Sequence, residues 1–83
     1  MMVRAEFTIY PFQEGEAPPA HVQAAIERLR EAGIDVEVGL LGEALTGDID
    51  TVLEALRMAT GAAIEAGATK VVVGIEVVSD DPG

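Results

Sequence analysis

A hydroxyl group and a flat aromatic ring stand two residues apart near the start of the chain, in the stretch AEFTIYPF. Thr8 and Tyr10 alternate with apolar residues, so they share one face of a predicted strand. A ring beside a hydroxyl can stack on a heteroaromatic ligand and hydrogen-bond its edge. The same pair would suit the inside of a subunit interface equally well, because amphipathic side chains are common there.

A second group of polar atoms comes from the stretch LLGEALTGDID. Glu43 offers an acceptor and Thr46 a donor, and two leucines could wall a pocket. A carboxylate in a partly dry site favours a cation or an amino group over an anion. The sequence leaves open which face of its strand Glu43 occupies, because a shift of one residue reverses the face. We therefore expect a non-covalent small-molecule site formed by Thr8, Tyr10, Leu41, Glu43, Leu45 and Thr46.

Few side chains of this protein could carry catalysis. The chain has no cysteine and one histidine, His21, which follows two prolines at a predicted helix start and is expected to be a surface residue. An enzyme of the small ferredoxin-like isomerase kind would need a general base, and the candidates are Glu43, Glu76 and His21. The glycines match neither the dinucleotide-binding fingerprint nor a P-loop. We expect a protein without catalytic residues or a cofactor.

A metal site would have to use the acidic residues near position 50. The oxygens of Asp48, Asp50 and Glu54 suit Mg²⁺ or Ca²⁺, but their spacing lacks the EF-hand pattern. Asp48 is a good N-cap, and the helix dipole favours the negative charge of Asp50 in the first turn. The sequence therefore predicts a helix start here rather than a metal site.

Composition and charge exclude several classes of protein. The net charge is −10, from fifteen acidic and five basic residues, and such a charge repels a nucleic acid backbone. No apolar run approaches the roughly 18–20 residues that cross a membrane, and the first residues lack the apolar stretch of a signal peptide. We expect a cytosolic protein. Its 83 residues predict a single domain over residues 1–83.

Hydrophobic periodicity predicts the elements that position these residues. Strict alternation indicates a half-buried strand, and apolar residues three and four apart indicate an amphipathic helix. Glycines at 33 and 67 are placed to end the two helices. In chain order we predict a strand over 3–10, a helix ending before 33, strands over 36–41 and 43–46, a helix from 48 to 67 and a strand over 70–78.

This order of elements predicts an α+β fold, the ferredoxin-like βαββαβ plait. It has a four-stranded antiparallel sheet with two helices on one face. The last strand is almost continuously apolar and is expected to be buried on both sides. The sheet face without helices is left open, and a second copy of the chain is the simplest cover for it. We therefore expect a homodimer or a homotetramer.

The strand end YPF, the stretch GIDVEVGLLGEALTGDIDTVLEAL and the later GATKVVVGIEV together resemble the thiamine-binding protein family. The resemblance covers about the whole chain. It implies a small ferredoxin-like domain that assembles into dimers or tetramers and binds thiamine or its hydroxymethylpyrimidine half without catalysis. Tyr10 would stack on the ligand, and Thr8 and Thr46 would hydrogen-bond it. Glu43 would face the amino group or the thiazolium. The alternative from another class is a structural or regulatory oligomerisation module with no small-molecule ligand.

Overall fold

The protein has the predicted ferredoxin-like plait. The computed structural model describes residues 1–11, 18–39 and 42–79. The elements are β1 (Met2–Tyr10), α1 (Ala20–Glu31), β2 (Glu37–Val38), β3 (Glu43–Asp48), α2 (Ile49–Glu65) and β4 (Lys70–Ser79). The strands form an antiparallel sheet in the order β2-β3-β1-β4. Among these described residues no helix is both long and apolar enough to cross a membrane.

Alternation along β1 determines where the core lies. Its odd-numbered residues are all buried and face the two helices, whereas its even-numbered residues lie on the open face of the sheet. The apolar stripes of α1 and α2 pack onto the odd-numbered side. Burial of such side chains is the main favourable term in folding, at about 25 cal/mol for each Å² removed from water. The core cluster contains Val3, Ala5, Phe7 and Ile9 from β1, Leu29 from α1 and Val52 from α2.

The helix ends follow the sequence signals. The carboxylate of Asp48 accepts a hydrogen bond from the backbone nitrogen of Asp50 at 3.1 Å, as an N-cap does. Gly33 and Gly67 follow the two helices with φ values of 76° and 112°. This left-handed region favours glycine, so both predicted helix ends are confirmed.

Two predictions about the outer strands need correction. β2 is Glu37–Val38 rather than 36–41, and residues 40 and 41 lie outside the described residues. The expectation that β4 is buried on both sides is wrong for the single chain. Val72 and Val73, which point to opposite faces, are 47% and 40% exposed. The reason is that β4 is an edge strand, and in β4 it is Val71 that packs against the core.

Candidate functional site

The antiparallel order gathers several element ends at one end of the molecule. The end of β1, the start of α1, the β2–β3 hairpin and the start of β4 all lie there. The Thr69 nitrogen donates to the Tyr10 oxygen at 2.9 Å, which ties β4 to the end of β1. The Gly39 nitrogen donates to the Gly42 oxygen at 2.9 Å and closes the hairpin. Polar and charged residues that are distant in sequence therefore lie close together at this end of the molecule.

A depression of about 410 Å³ lies beside the β2–β3 hairpin, and we call it the hairpin depression. Its volume is within the range of about 300–1,000 Å³ that is usual for small-molecule sites. Thr8 and Glu43, two of the predicted ligand contacts, are among its lining residues. Lining residues that the sequence prediction missed include Arg4, Glu6 and Glu37. Alternation along β1 could have indicated the first two, because it places them on the same face as Thr8.

Gly42 brings the hairpin into close contact with the end of β1. A Cβ atom at this position would lie 2.7 Å from the Phe7 carbonyl oxygen and 2.9 Å from the Thr8 Oγ1 atom. Both distances are shorter than van der Waals contact, so a side chain would force the backbone apart. The glycine therefore fixes how closely the hairpin approaches Thr8, and with it the shape of the depression.

Glu43 is the most unusual lining residue, because it is a carboxylate that is only 6% exposed. It pairs with Phe7 across the sheet, so the question that the sequence left open is answered: Glu43 is on the helix-facing side of β3. Burial raises the pKa of its carboxyl group. No described residue gives it a hydrogen bond or an ion pair, and neither of its oxygens is both buried and without a hydrogen-bond partner. Such a group gains from a ligand that brings a positive charge or an amino group.

The charges around the depression are mostly negative. The guanidinium of Arg4 donates hydrogen bonds to Glu37 Oε2 at 3.1 Å and to Glu6 Oε1 at 3.4 Å. These two bonds raise the pKa of Arg4, with Glu37 the larger cause. Glu6 and Glu37 bring two carboxylates to the described lining against the one guanidinium of Arg4, so carboxylates outnumber the guanidinium. The local field therefore favours a cationic ligand over an anionic one.

Tyr10 lies on the open face of the sheet, beyond the part of β1 that pairs with β3. The ammonium nitrogen of Lys70 is 5.3 Å from the centroid of its ring. This is a cation–π contact between directly opposed residues of β1 and β4. Tyr10 is not among the residues that line the hairpin depression. Its stacking role stays a prediction, and a ligand would meet a ring that already has a cationic neighbour.

The remaining predicted contacts are spread over the sheet. Leu45 pairs with Ala5 and is 3% exposed in the core cluster. Thr46 pairs with Arg4 on the open face and is exposed. Leu41 lies outside the described residues. Thr8 and Glu43 thus both line one depression, although their side chains point to opposite faces of the sheet, and Leu45 and Thr46 lie elsewhere on β3.

His21 is not the surface residue that the sequence suggested. It is 6% exposed, and its Nε2 atom is 2.8 Å from the carbonyl oxygen of Pro11. A carbonyl oxygen accepts only, so Nε2 carries the proton and donates. The contact ties the chain after β1 to the start of α1. Helical spacing could have indicated this burial, because His21 stands four residues before the buried Ala25.

Comparison with known proteins agrees with the family resemblance of the sequence. The model of the thiamine-binding protein family matches residues 5–81. The UPF0045 protein of Methanocaldococcus jannaschii is 35% identical over 57 residues, which are 69% of this chain and 57% of that protein. The chain therefore matches little more than half the length of this curated relative.

Two solved structures share the fold. The DUF77 domain from Bacillus cereus has a TM-score of 0.71 and 28% identity, covering 99% of this chain and 80% of that one. A Thermotoga maritima protein, named for a proposed role in thiamine biosynthesis or salvage, has a TM-score of 0.64 and covers 92% of this chain and 81% of that one. At 17% identity the second likeness shows the fold alone.

Proposed function

The chain belongs to the thiamine-binding protein family, and from this premise we propose that it is a non-catalytic binding protein for thiamine or its hydroxymethylpyrimidine moiety. Thiamine joins an aminopyrimidine, which offers hydrogen-bond donors, to a thiazolium, which carries a positive charge. A site for it needs an acceptor for the amino group and a negative field for the cation. The hairpin depression supplies both.

The observation that carries the proposal is the group of acidic residues at the hairpin depression. Glu43 is one of its lining residues, its side chain points to the helix-facing side of β3, and burial raises the pKa of its carboxyl group. A ligand amino group or cation that reaches this carboxylate would offset the cost of its burial, and the hydrogen bond would be charge-assisted. Glu6 and Glu37 add negative charge at the same depression. Thr8 contributes a hydroxyl to the lining, beside the Gly42 backbone.

The experiment is isothermal titration of the protein with thiamine and, separately, with hydroxymethylpyrimidine. We expect a Kd of about 10 μM or tighter for thiamine, which corresponds to about −7 kcal/mol. Glu43→Gln keeps the shape of the side chain and removes its charge. This variant should weaken thiamine binding about tenfold and weaken the neutral pyrimidine less, because the pyrimidine loses hydrogen-bond strength but no attraction between opposite charges.

A matched control is Glu27→Gln. Glu27 is exposed on α1 and does not line the depression, yet its substitution makes the same change in net charge. It should leave both affinities unchanged within twofold. Equal weakening of both ligands by Glu43→Gln, or weakening by the control, would contradict the electrostatic role of Glu43.

We also propose that the protein acts in the cytosol as a homo-oligomer. The supporting observation is the apolar surface of β4, where Ile75 and Val77 are 47% and 58% exposed. A monomer gains nothing from such a strand edge, and natural proteins usually cover or charge it. The same observation favours the second candidate function, an oligomerisation module without a ligand. Self-association together with no heat from either ligand at millimolar concentration would support the module.

A further inference from the structure

Arg4 already holds two of the carboxylates that a cationic ligand would use. Its guanidinium group donates hydrogen bonds to Glu37 Oε2 at 3.1 Å and to Glu6 Oε1 at 3.4 Å, and all three residues line the hairpin depression. A guanidinium group is a strong competitor for such oxygens, because it carries a permanent charge and several donors in one plane. A ligand cation that pairs with Glu37 must therefore displace Arg4.

The bond from Arg4 to Glu37 crosses a whole strand. In the sheet order β2-β3-β1-β4, the strand β3 lies between β1, which carries Arg4, and β2, which carries Glu37. Neighbouring strands are about 4.7–4.9 Å apart, so the arginine side chain reaches across two such spacings. The side chains of Arg4 and Glu37 are 35% and 71% exposed. Water screens a pair of this kind, so it breaks at small cost when a competitor arrives.

A nearer carboxylate lies on the other side of Arg4. Glu76 of β4 pairs directly with Arg4 in the register of the sheet, so the two side chains lie on the same face. Both residues line a second depression of about 210 Å³, which we call the β4 depression. Among the described residues Glu76 takes part in no ion pair. Arg4 therefore lies between two acceptors, Glu37 and Glu76, and pairs with only the first.

Gly74 leaves room beside Glu76. It lies two residues before Glu76 on β4, so it faces the same side of the sheet and lines the β4 depression. A Cβ atom at this position would meet nothing within 4 Å. The guanidinium group of Arg4 therefore has space on the β4 side when it leaves Glu37.

We propose that Arg4 is a two-position arginine that controls the entry of a cationic ligand into the hairpin depression. In the ligand-free protein it pairs with Glu37. When the ligand binds, the ligand cation takes its place and Arg4 moves to Glu76. This inference rests on the proposed function and adds its regulation.

The exchange has two consequences for the choice of ligand. Each cation keeps a carboxylate, so a charged ligand displaces Arg4 without leaving a charge unmatched. A neutral ligand brings no charge to Glu37 and has less to offer in place of Arg4. Glu76 also contributes to ligand affinity, although it is not among the residues that line the hairpin depression.

Arg4→Met tests the competition, because it removes the charge and the donors and keeps an unbranched side chain. We expect isothermal titration to show thiamine binding strengthened about three- to fivefold, since an exposed ion pair is a weak competitor. Hydroxymethylpyrimidine should gain less than about twofold, because it brings no charge. Arg30→Met is the matched control: Arg30 is exposed on α1, lies outside both depressions, and its loss changes the net charge equally. Equal gains for both ligands, or a gain in the control, would overturn the competition.

A double-mutant cycle between Arg4 and Glu76 tests the exchange itself. Glu76→Gln should weaken thiamine binding about threefold in the otherwise unmodified chain, because the displaced Arg4 then lacks its second acceptor. In the Arg4→Met background the same substitution should change thiamine affinity by less than about 1.5-fold, because only a screened charge is removed. Weakening of the same size in both backgrounds would mean that Glu76 acts through the general negative field, and it would overturn the exchange.

A spectroscopic measurement separates this inference from the proposed function. The Nε–H signal of Arg4, identified in ¹⁵N spectra by its absence from Arg4→Met, should shift as thiamine is added. Thiamine binding without a shift of this signal, or binding that Arg4→Met leaves unchanged, would overturn the exchange and leave the binding function standing. No binding of millimolar thiamine by either protein, both shown to be folded by circular dichroism, would overturn the two together.

Discussion

Glu43→Gln should stabilise the ligand-free protein at neutral pH. Burial raises the pKa of Glu43 above its ordinary value of 4.5, and no described residue offsets the cost of its charge. The folded protein therefore holds this proton more tightly than the unfolded chain does. The free energy of unfolding falls as the pH rises from about 4.5 through the raised pKa, and the loss is complete above it. Glutamine avoids this loss because it carries no charge.

The size of the effect follows from the partial burial of the charge. A fully buried and unsatisfied polar group costs about 1–3 kcal/mol, and Glu43 belongs at the low end because neither of its oxygens is both buried and without a hydrogen-bond partner. We expect Glu43→Gln to raise the free energy of unfolding by about 1 kcal/mol at pH 7. For a domain of this size this shifts Tm upward by about 4–8 °C. At pH 4 and below the gain should disappear, because the wild-type carboxyl group is then protonated.

The assay is thermal unfolding followed by circular dichroism between pH 4 and pH 8. Glu27→Gln is again the control, and an exposed substitution of this kind should change stability by less than about 0.5 kcal/mol. A loss of stability in Glu43→Gln that is larger at pH 7 than at pH 4 would refute the reasoning, since it would mean that the carboxylate has a stabilising partner. A gain in stability together with a loss of thiamine affinity is the pattern expected of a binding residue.

Four further substitutions test the packing that positions the site, each by urea denaturation. Gly42→Ala should cost about 1–3 kcal/mol, because the new Cβ would lie 2.7 Å from the Phe7 carbonyl oxygen. A Cβ atom at Gly61, in the interior of α2, would meet nothing within 4 Å, so Gly61→Ala should raise the free energy of unfolding by about 0.5–1 kcal/mol. A loss of stability in Gly61→Ala, or no loss in Gly42→Ala, would contradict the described spacing. Asp48→Ala should cost about 1 kcal/mol through the lost N-cap, and no change would mean that the cap bond is not formed in solution. Leu29→Ala should cost about 2–5 kcal/mol because Leu29 is fully buried, and a cost below 1 kcal/mol would indicate a loosely packed core.

The fold could be predicted from local patterns because each pattern has a direct physical cause. Alternation along β1 fixed which of its side chains face the helices, and this held at every position from Val3 to Ile9. Asp48 and the glycines at the helix ends marked where backbone groups need a cap or a left-handed residue. Along these elements the spacing of polar and apolar residues matches the observed strands and helices. The order of the elements therefore predicted the right topology.

The site was less predictable because it depends on register and on position within the sheet. Glu43 and Thr8 both line one depression, but the sequence could not tell that their side chains point to opposite faces of the sheet. Only the pairing of Glu43 with Phe7 decides it. The apolar run of β4 indicated burial, whereas its place at the sheet edge leaves the strand exposed in the single chain. A run of valines predicts that the strand is buried, but it does not indicate whether the residues that bury it come from the same chain or from another.

Titration of ¹⁵N-labelled protein with thiamine, followed by two-dimensional NMR, tests the central claim most directly. A chain of 83 residues is well suited to this method, and its amide signals report both binding and its location. We predict saturable shifts at Gly39, Gly42 and Glu43 around the hairpin depression, with no shift at Gly61 on α2. Absence of shifts at millimolar thiamine, or shifts confined to residues away from the depression, would contradict the account.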